Sequence, residues 1–246
     1  MSNQYATFAL SLADSALILG QRNAEWCGHG PVLEQDIAIT NITLDLIGQS
    51  RLWYQYAAEW MQKNGKPDTT EDALAYLRDE REFKNLLLCE LPKGDWAHTI
   101  LRQFFFSHFQ KLLFESMINL RDKELSAIAI KSLKEVNYHV KWSGEWVIRL
   151  GDGTEESRRR MENAITELWP YTGEMFSCEP YEPVDVKLLN EEWMQKVKMV
   201  FDEAGLVLPE NVFMQTGGKK GIHTEHFGYM LSEMQYLQRV YPGAEW

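Results

Sequence analysis

Apolar residues recur along this chain at helical spacing, and the runs they form are separated by clear breaks. The longest, 34–61, reads LEQDIAITNITLDLIGQSRLWYQYAAEWM with its preceding leucine, contains no proline, and holds a single glycine. As a helix it would extend roughly 40 Å at about 1.5 Å per residue. Ile37, Ile39, Ile42, Leu44, Leu46 and Ile47 lie on nearly every side of it, which predicts a helix buried all round. At about 100° per residue, Glu34, Asn41, Asp45, Gln49 and Glu59 share one stripe with Ala38, Leu52 and Tyr56. A mid-helix carboxylate at Asp45 therefore calls for a partner.

The remaining runs follow in order. A helix over 7–27 carries Asp14, Gln21 and Glu25 and stops at Gly28-His29-Gly30-Pro31. After Asn64-Gly65-Lys66-Pro67, Thr70 caps a short helix with Glu71 and Asp72 in its first turn. A crossover over 71–91 contains Leu86-Leu87-Leu88-Cys89, a run too short to divide between strand and buried helix. Asp95 caps a helix to about 120 whose Phe-Phe-Phe-Ser-His-Phe centre must be buried. Arg121-Asp122 then makes a tight connection to a helix over 124–150 that ends at Gly151-Asp152-Gly153, so the two helices are antiparallel neighbours. Thr154 opens a helix to about 169, residues 172–185 form a proline-bearing linker, and helices are expected over 186–204 and 223–240. No alternation of period two appears. The pattern predicts an all-α protein: two helical hairpins joined by a long crossover, the layout of a ferritin-like four-helix bundle with additional C-terminal helices. We expect one domain over 1–246, with its bundle core over about 5–151 and a helical extension over about 152–246.

Composition narrows the function classes. The chain has 246 residues, 45% of them hydrophobic, enough to bury a large core. Its 25 basic and 36 acidic residues leave a net charge of −11, which argues against a nucleic-acid or anionic-membrane surface. No apolar run reaches the ~18 residues a membrane span requires. Three cysteines without a CxxC pair fit reduced thiols, and a cytoplasmic protein is expected. The tryptophans at 53, 60, 142, 146, 169 and 193 are expected mostly in the core, with some at a partner surface.

The bundle layout invites a test for a di-iron site, which takes a Glu from each of two helices and Glu-x-x-His from each of the other two. The residues three before the six histidines are Trp26, Asp95, Phe105, Val136, Lys220 and His223, so no Glu-x-x-His is present. What stands at mid-helix is a degenerate set: Asp14, Asp45 and Gln49, His108 and Glu115, and Lys131, Glu135 and His139 at four-residue intervals. We expect a satisfied polar network in which Lys131 and imidazole protons supply the positive charge that iron would otherwise bring. A partial metal site is the rival reading. Gly217-Gly218-Lys219-Lys220-Gly221 before a helix could cradle an anion such as a CoA phosphate, with Gly218, Lys219 and Lys220 as contacts. It lacks the GxxxxGK[ST] of a Walker loop. His223, Glu225 and His226, in a first helical turn, are expected to make caps and solvated contacts rather than bind metal. Arg22 and Arg51 are candidates for interior ion pairs with Glu25, Asp36 or Asp79.

Four stretches carry a family resemblance: WCGHGPVLEQDIAITNITLDLIGQSR, the Asp-Glu-Arg-x-Phe-x-Asn-Leu-Leu-Leu-x-Glu pattern over 79–90, KEVNYH, and TGGKKGIHTEHFGYMLSEMQYLQR. Together the chain closely resembles the PaaC-type subunit of bacterial phenylacetyl-CoA epoxidase. The resemblance implies a ferritin-like subunit of a multicomponent monooxygenase of phenylacetate catabolism, which forms a ring 1,2-epoxide using oxygen and NADPH-derived electrons. It implies no cofactor in this chain, di-iron in a catalytic PaaA-type partner, further epoxidase subunits as partners, and a supporting rather than catalytic role. Self-association of the isolated chain stays open. The alternatives are a di-iron oxygenase in its own right, using Asp45, Glu135 and His139, or a free-standing acyl-CoA binder.

Overall fold

The computed structural model describes residues 3–244, and among them there are nine α-helices, short 3-10 turns and no strand. The fold is all-α, a ferritin-like helical bundle with further helices towards the C-terminus. Residues divide into two compact units, each assembled from separated stretches: 1–92 with 179–183 and 217–246, and 93–178 with 184–216.

In the first unit, α1 (Asn3–Ala24) and α2 (Leu33–Lys63) form an antiparallel hairpin. Gly20 faces Leu46 and Ile47, while Asp14 meets Tyr54 near the other end. The crossover contributes α3 (Glu71–Tyr76), capped by Thr70 through Ala73 N at 3.1 Å, and α4 (Leu87–Glu90). The Leu86–Cys89 run is thus a short buried helix; it is too brief and too enclosed to show a period. The unit is completed by α9 (Glu225–Val240), whose Phe227 meets Phe83 edge-on at 5.4 Å.

In the second unit, α5 (Trp96–Met117) and α6 (Lys123–Gly151) are antiparallel, with Ser107 Oγ 3.4 Å from Ser143 Oγ. Asp95 accepts His98 N at 3.1 Å and Asp122 accepts Leu125 N at 3.1 Å, so each helix starts on a carboxylate that satisfies its free amides. All six residues from Phe104 to Phe109 are buried, as the uninterrupted apolar run requires. α7 (Glu155–Leu168) and α8 (Asn190–Ala204) complete the unit; the latter ends on Gly205 at φ +66, a left-handed cap. Phe105, Phe176 and Trp169 surround Trp193, and the indole of Trp193 donates to Phe105 O at 3.1 Å. Trp53, Trp142, Trp169 and Trp193 are buried, while Trp60 and Trp146 are half-exposed.

One expectation fails in α2. Ile39, Ile42 and Leu46 are buried, but Ile37, Leu44 and Ile47 are 52%, 62% and 43% exposed. The helix presents two apolar faces, and only one of them is covered within the chain; periodicity cannot tell an inward apolar face from an outward one.

Candidate functional site

The polar interior of the first unit centres on Asp14, fully buried on α1. Tyr54 of α2 donates its hydroxyl to Asp14 Oδ1 at 2.6 Å, and Lys84 N donates to Oδ2 at 2.8 Å. The guanidinium of Arg78, just beyond α3, spans both carboxylate oxygens. Arg78 also donates to Leu74 O and to Glu82 O, and lies 4.1 Å from the centre of the Phe83 ring. One buried negative charge is therefore met by one buried positive charge, with four donors on the carboxylate. Burial, then the charge of Asp14, pushes the Tyr54 phenol well above its ordinary pKa. Burial would lower the Arg78 pKa, but Asp14 raises it further, so the guanidinium stays charged.

A second buried acid, Glu90 at the end of α4, is organised in the same way. Its Oε2 accepts from His223 Nδ1 at 2.7 Å and from Asn85 Nδ2 at 2.8 Å, and its Oε1 accepts the backbone amide of Thr224. The other ring nitrogen of His223 reaches Phe83 O at 3.2 Å. Because a carboxylate and a carbonyl can only accept, both ring nitrogens must donate, which makes His223 an imidazolium. Burial works against that charge; the hydrogen bond and the negative charge of Glu90 outweigh it and raise the pKa. The Glu90 carboxylate also lies at the start of α9, where it meets the positive end of that helix.

The glycine loop before α9 is tied down by a third pair. Lys219 Nζ lies 2.8 Å from Glu182 Oε1, with the two side chains 7% and 5% exposed. Lys220 reaches Glu179 at 3.4 Å. Burial raises the Glu182 pKa, and Lys219 partly opposes that rise. Each lysine of the expected anion cradle therefore already faces a carboxylate. A Cβ on Gly218 would stand 2.1 Å from Asn85 O, so the loop is pressed onto the crossover rather than open to a ligand. Gly221, at φ +78, would place a Cβ 2.2 Å from Arg81 O. The groove of about 660 Å³ beside α9 is also acidic, lined by Asp79, Glu80 and Glu225 against Arg239. That balance disfavours a diphosphate.

The mid-helix residues singled out by spacing have varied settings. Gln49 and His139 are buried, Asp45 and Glu135 are half-buried, and Lys131 is exposed. The idea of protein cations neutralising interior acids applies in the first unit to Arg78 and His223, neither of which belonged to the expected set; the exposed Lys131 does not act as a buried ammonium. His108 is buried with Nδ1 on Phe104 O at 2.9 Å, and burial lowers its pKa to about 4, so it is neutral. Glu115 pairs loosely with Lys111 at 3.9 Å on the surface. His98 bridges Asp95 at 2.7 Å and Glu167 at 3.0 Å at a helix start.

Three smaller expectations change in detail. His223 is not solvated: its side chain is 0% exposed. Arg22 does pair with Glu25, at 2.7 Å, and also donates to Glu90 O. Arg51 instead makes an exposed pair with Glu71, and Asp79 pairs with Arg239. Glu90 and His223 lie in two of the stretches that carry the family pattern, but 133 residues separate them, and no local spacing links them.

Does the donor set fit a di-iron centre? Asp14 and Glu90 spend both oxygens on protein donors, and each has a cation beside it, which leaves no negative charge to attract a metal. Among the described residues no group of three or more His, Cys, Asp or Glu is placed to hold a metal ion. These residues do not fit the group.

Comparison with known proteins agrees with the sequence pattern. The family model described as "Phenylacetic acid catabolic protein" matches residues 1–246. The chain is 46% identical over 252 residues to a subunit of the 1,2-phenylacetyl-CoA epoxidase of Escherichia coli (strain K12), covering 99% of this chain and 100% of that protein. With the helical architecture and a full-length match together, the chain belongs to the phenylacetic acid catabolic protein family.

Proposed function

We propose that this chain is the non-catalytic, supporting subunit of a phenylacetyl-CoA epoxidase in aerobic phenylacetate degradation, and that it pairs with a catalytic subunit holding the di-iron centre. The observation that carries this reading is the saturation of Asp14 and Glu90. In a chain of ferritin-like fold, the interior acids Asp14 and Glu90 are occupied by Arg78, Tyr54, His223, Asn85 and the backbone amides of Lys84 and Thr224. The role is then to present surface and to stabilise a partner, with oxygen chemistry left to the sibling chain. A cytoplasmic setting suits three cysteines that are all free.

The test is reconstitution. Purified alone, the chain should contain far less than one iron per polypeptide by elemental analysis and should not turn over phenylacetyl-CoA with oxygen and reductase. Added to the catalytic subunit, it should raise that subunit's soluble yield or its turnover. Two irons per chain, or epoxidation by the chain alone, would overturn the reading. Saturable binding of phenylacetyl-CoA to the isolated chain would point instead to an acyl-CoA binder.

A further inference from the structure

Consecutive residues of the crossover tie the two buried acids of the first unit together. Glu82 O accepts from Arg78 at 3.0 Å, Phe83 O lies 3.2 Å from His223 Nε2, Lys84 N donates to Asp14 at 2.8 Å, and Asn85 Nδ2 donates to Glu90 at 2.8 Å. The Phe83 ring adds a further connection, with the Arg78 guanidinium 4.1 Å from its centre and the Phe227 ring of α9 at 5.4 Å. Next in the chain, Leu86 N donates to Ser15 Oγ at 3.2 Å, and Arg22 donates to Glu90 O at 2.8 Å. The crossover is thus pinned to α1 at Asp14, Ser15 and Arg22, whatever α9 does.

α9 is held on that crossover at two places of different kind. Towards its end, the carbonyl of Arg78 accepts from Gln235 Nε2 at 2.9 Å and from Arg239 at 3.1 Å, and neither donor titrates near neutrality. Its start rests on His223, whose ring needs a proton on both nitrogens to meet Glu90 and Phe83 O. With one proton gone, a nitrogen lone pair would face an oxygen across 2.7 or 3.2 Å, beside a side chain with no exposed surface, so the ring must withdraw. It takes α9 with it: the amide of Thr224, the next residue, sits on Glu90 Oε1, and the Phe227 ring lies 4.2 Å from the imidazole, centre to centre. Among the charged groups around the ring, Glu90 on α4 and Glu80 on the turn over 80–82 favour its charged form. Arg22 of α1 lies against the main chain of Glu90 and is itself paired with Glu25 at 2.7 Å; on α9, Glu225 is exposed and His226 half-buried.

We propose that His223 and Glu90 form a proton-operated clasp: with the imidazole charged, the start of α9 is held on the crossover, and when the proton leaves, residues 222–231 come away while the last turns stay on Arg78. The crossover cannot follow the ring, because α1 holds it. Upstream the movement stops at Lys219, whose ammonium is 2.8 Å from Glu182. Between that pin and His223 lie Gly221, at φ +78, and Ile222, 66% exposed, so the chain can pivot there. Downstream it stops at Gln235. Opening uncovers Phe83, Phe227 and Met230, all buried while the clasp is shut.

Hydrogen exchange of the full chain between pH 6 and 9, read by mass spectrometry and corrected for intrinsic amide rates, tests the clasp. Protection over 222–231 should fall as pH rises, by at least about threefold in total and at most about tenfold per pH unit, the limit for a single proton. At pH 9 it should lie below the protection over 235–240. Dilute urea should leave exchange over 222–231 unchanged, because a local opening exposes little surface, while it speeds exchange at the buried 104–109 centre, which needs wider unfolding. His223→Gln, which cannot titrate, and Glu90→Gln, which removes the charge that keeps the proton, should each give a profile over 222–231 that is flat between pH 7 and 9. If neither variant folds, the wild-type pH and urea series decides alone. A flat wild-type profile, a fall over 222–231 that steepens with urea as it does at 104–109, or a slope that survives in either folded variant would overturn the proposal.

Discussion

His223 Nδ1 stands 2.7 Å from Glu90 Oε2, with both side chains shut off from solvent. This pair joins the start of the last helix to the end of the crossover, and the charge on the imidazole gives it a pH dependence. A base whose folded pKa lies above its unfolded value stabilises the fold in its protonated form. The contribution of His223 is thus complete below its ordinary value of 6.5 and is lost as pH rises through the higher folded value. Nearby Glu80 favours the same charged form. Urea unfolding between pH 6 and 9 should show stability falling across this range, and His223→Gln should flatten that slope. A slope unchanged by the substitution would show that the imidazolium is not its source.

Arg78→Met should be among the most damaging single changes, on the order of 3–5 kcal/mol, because it strands a fully buried carboxylate. Replacing both partners, Arg78→Met with Asp14→Leu, should recover a large part of that loss, since apolar side chains need no ion pair. A double-mutant cycle measured by chemical denaturation checks this. Additive losses would mean that the two side chains do not depend on one another.

Gly221→Ala combines a left-handed backbone with a carbonyl in the way of the new methyl group. We expect a loss of about 1–3 kcal/mol and earlier proteolytic cleavage near the loop, read by limited proteolysis and mass spectrometry. Gly243→Ala, also at positive φ (+76) but with nothing within 4 Å, isolates the backbone contribution and should cost less.

Lys131→Met tests whether this ammonium has any part in the interior charge balance. With its side chain in solvent, the substitution should change stability by no more than about 0.5 kcal/mol. A drop of several kcal/mol in a thermal melt would restore Lys131 to the interior network.

Helix identity, the caps at Thr70, Asp95 and Thr154, and the buried Phe104–Phe109 centre were all legible because each depends on neighbours within one or two turns. The site was legible only as a principle. That interior acids need cations follows from the cost of desolvation, but which cation answers which acid depends on tertiary contact. Asp14 lies 64 residues from Arg78 and Glu90 lies 133 from His223, and no periodicity spans such gaps. Spacing along α6 pointed to Lys131, which shares a helical face with Glu135 and His139; yet the face turned out to run from interior to solvent along its length. The two-faced α2 escaped for a related reason: an apolar face left exposed and one covered within the chain have the same sequence.

The first unit is assembled from three separated stretches, 1–92, 179–183 and 217–246, and this affects how the protein is made. Its opening hairpin leaves the ribosome long before His223 exists to answer Glu90, and the 133 residues from one to the other take roughly 7–27 s to synthesise. During that interval a nascent chain carries a Glu90 carboxylate without the imidazole that meets it in the folded protein. Chaperone demand should therefore concentrate in the window before residue 223 has been made.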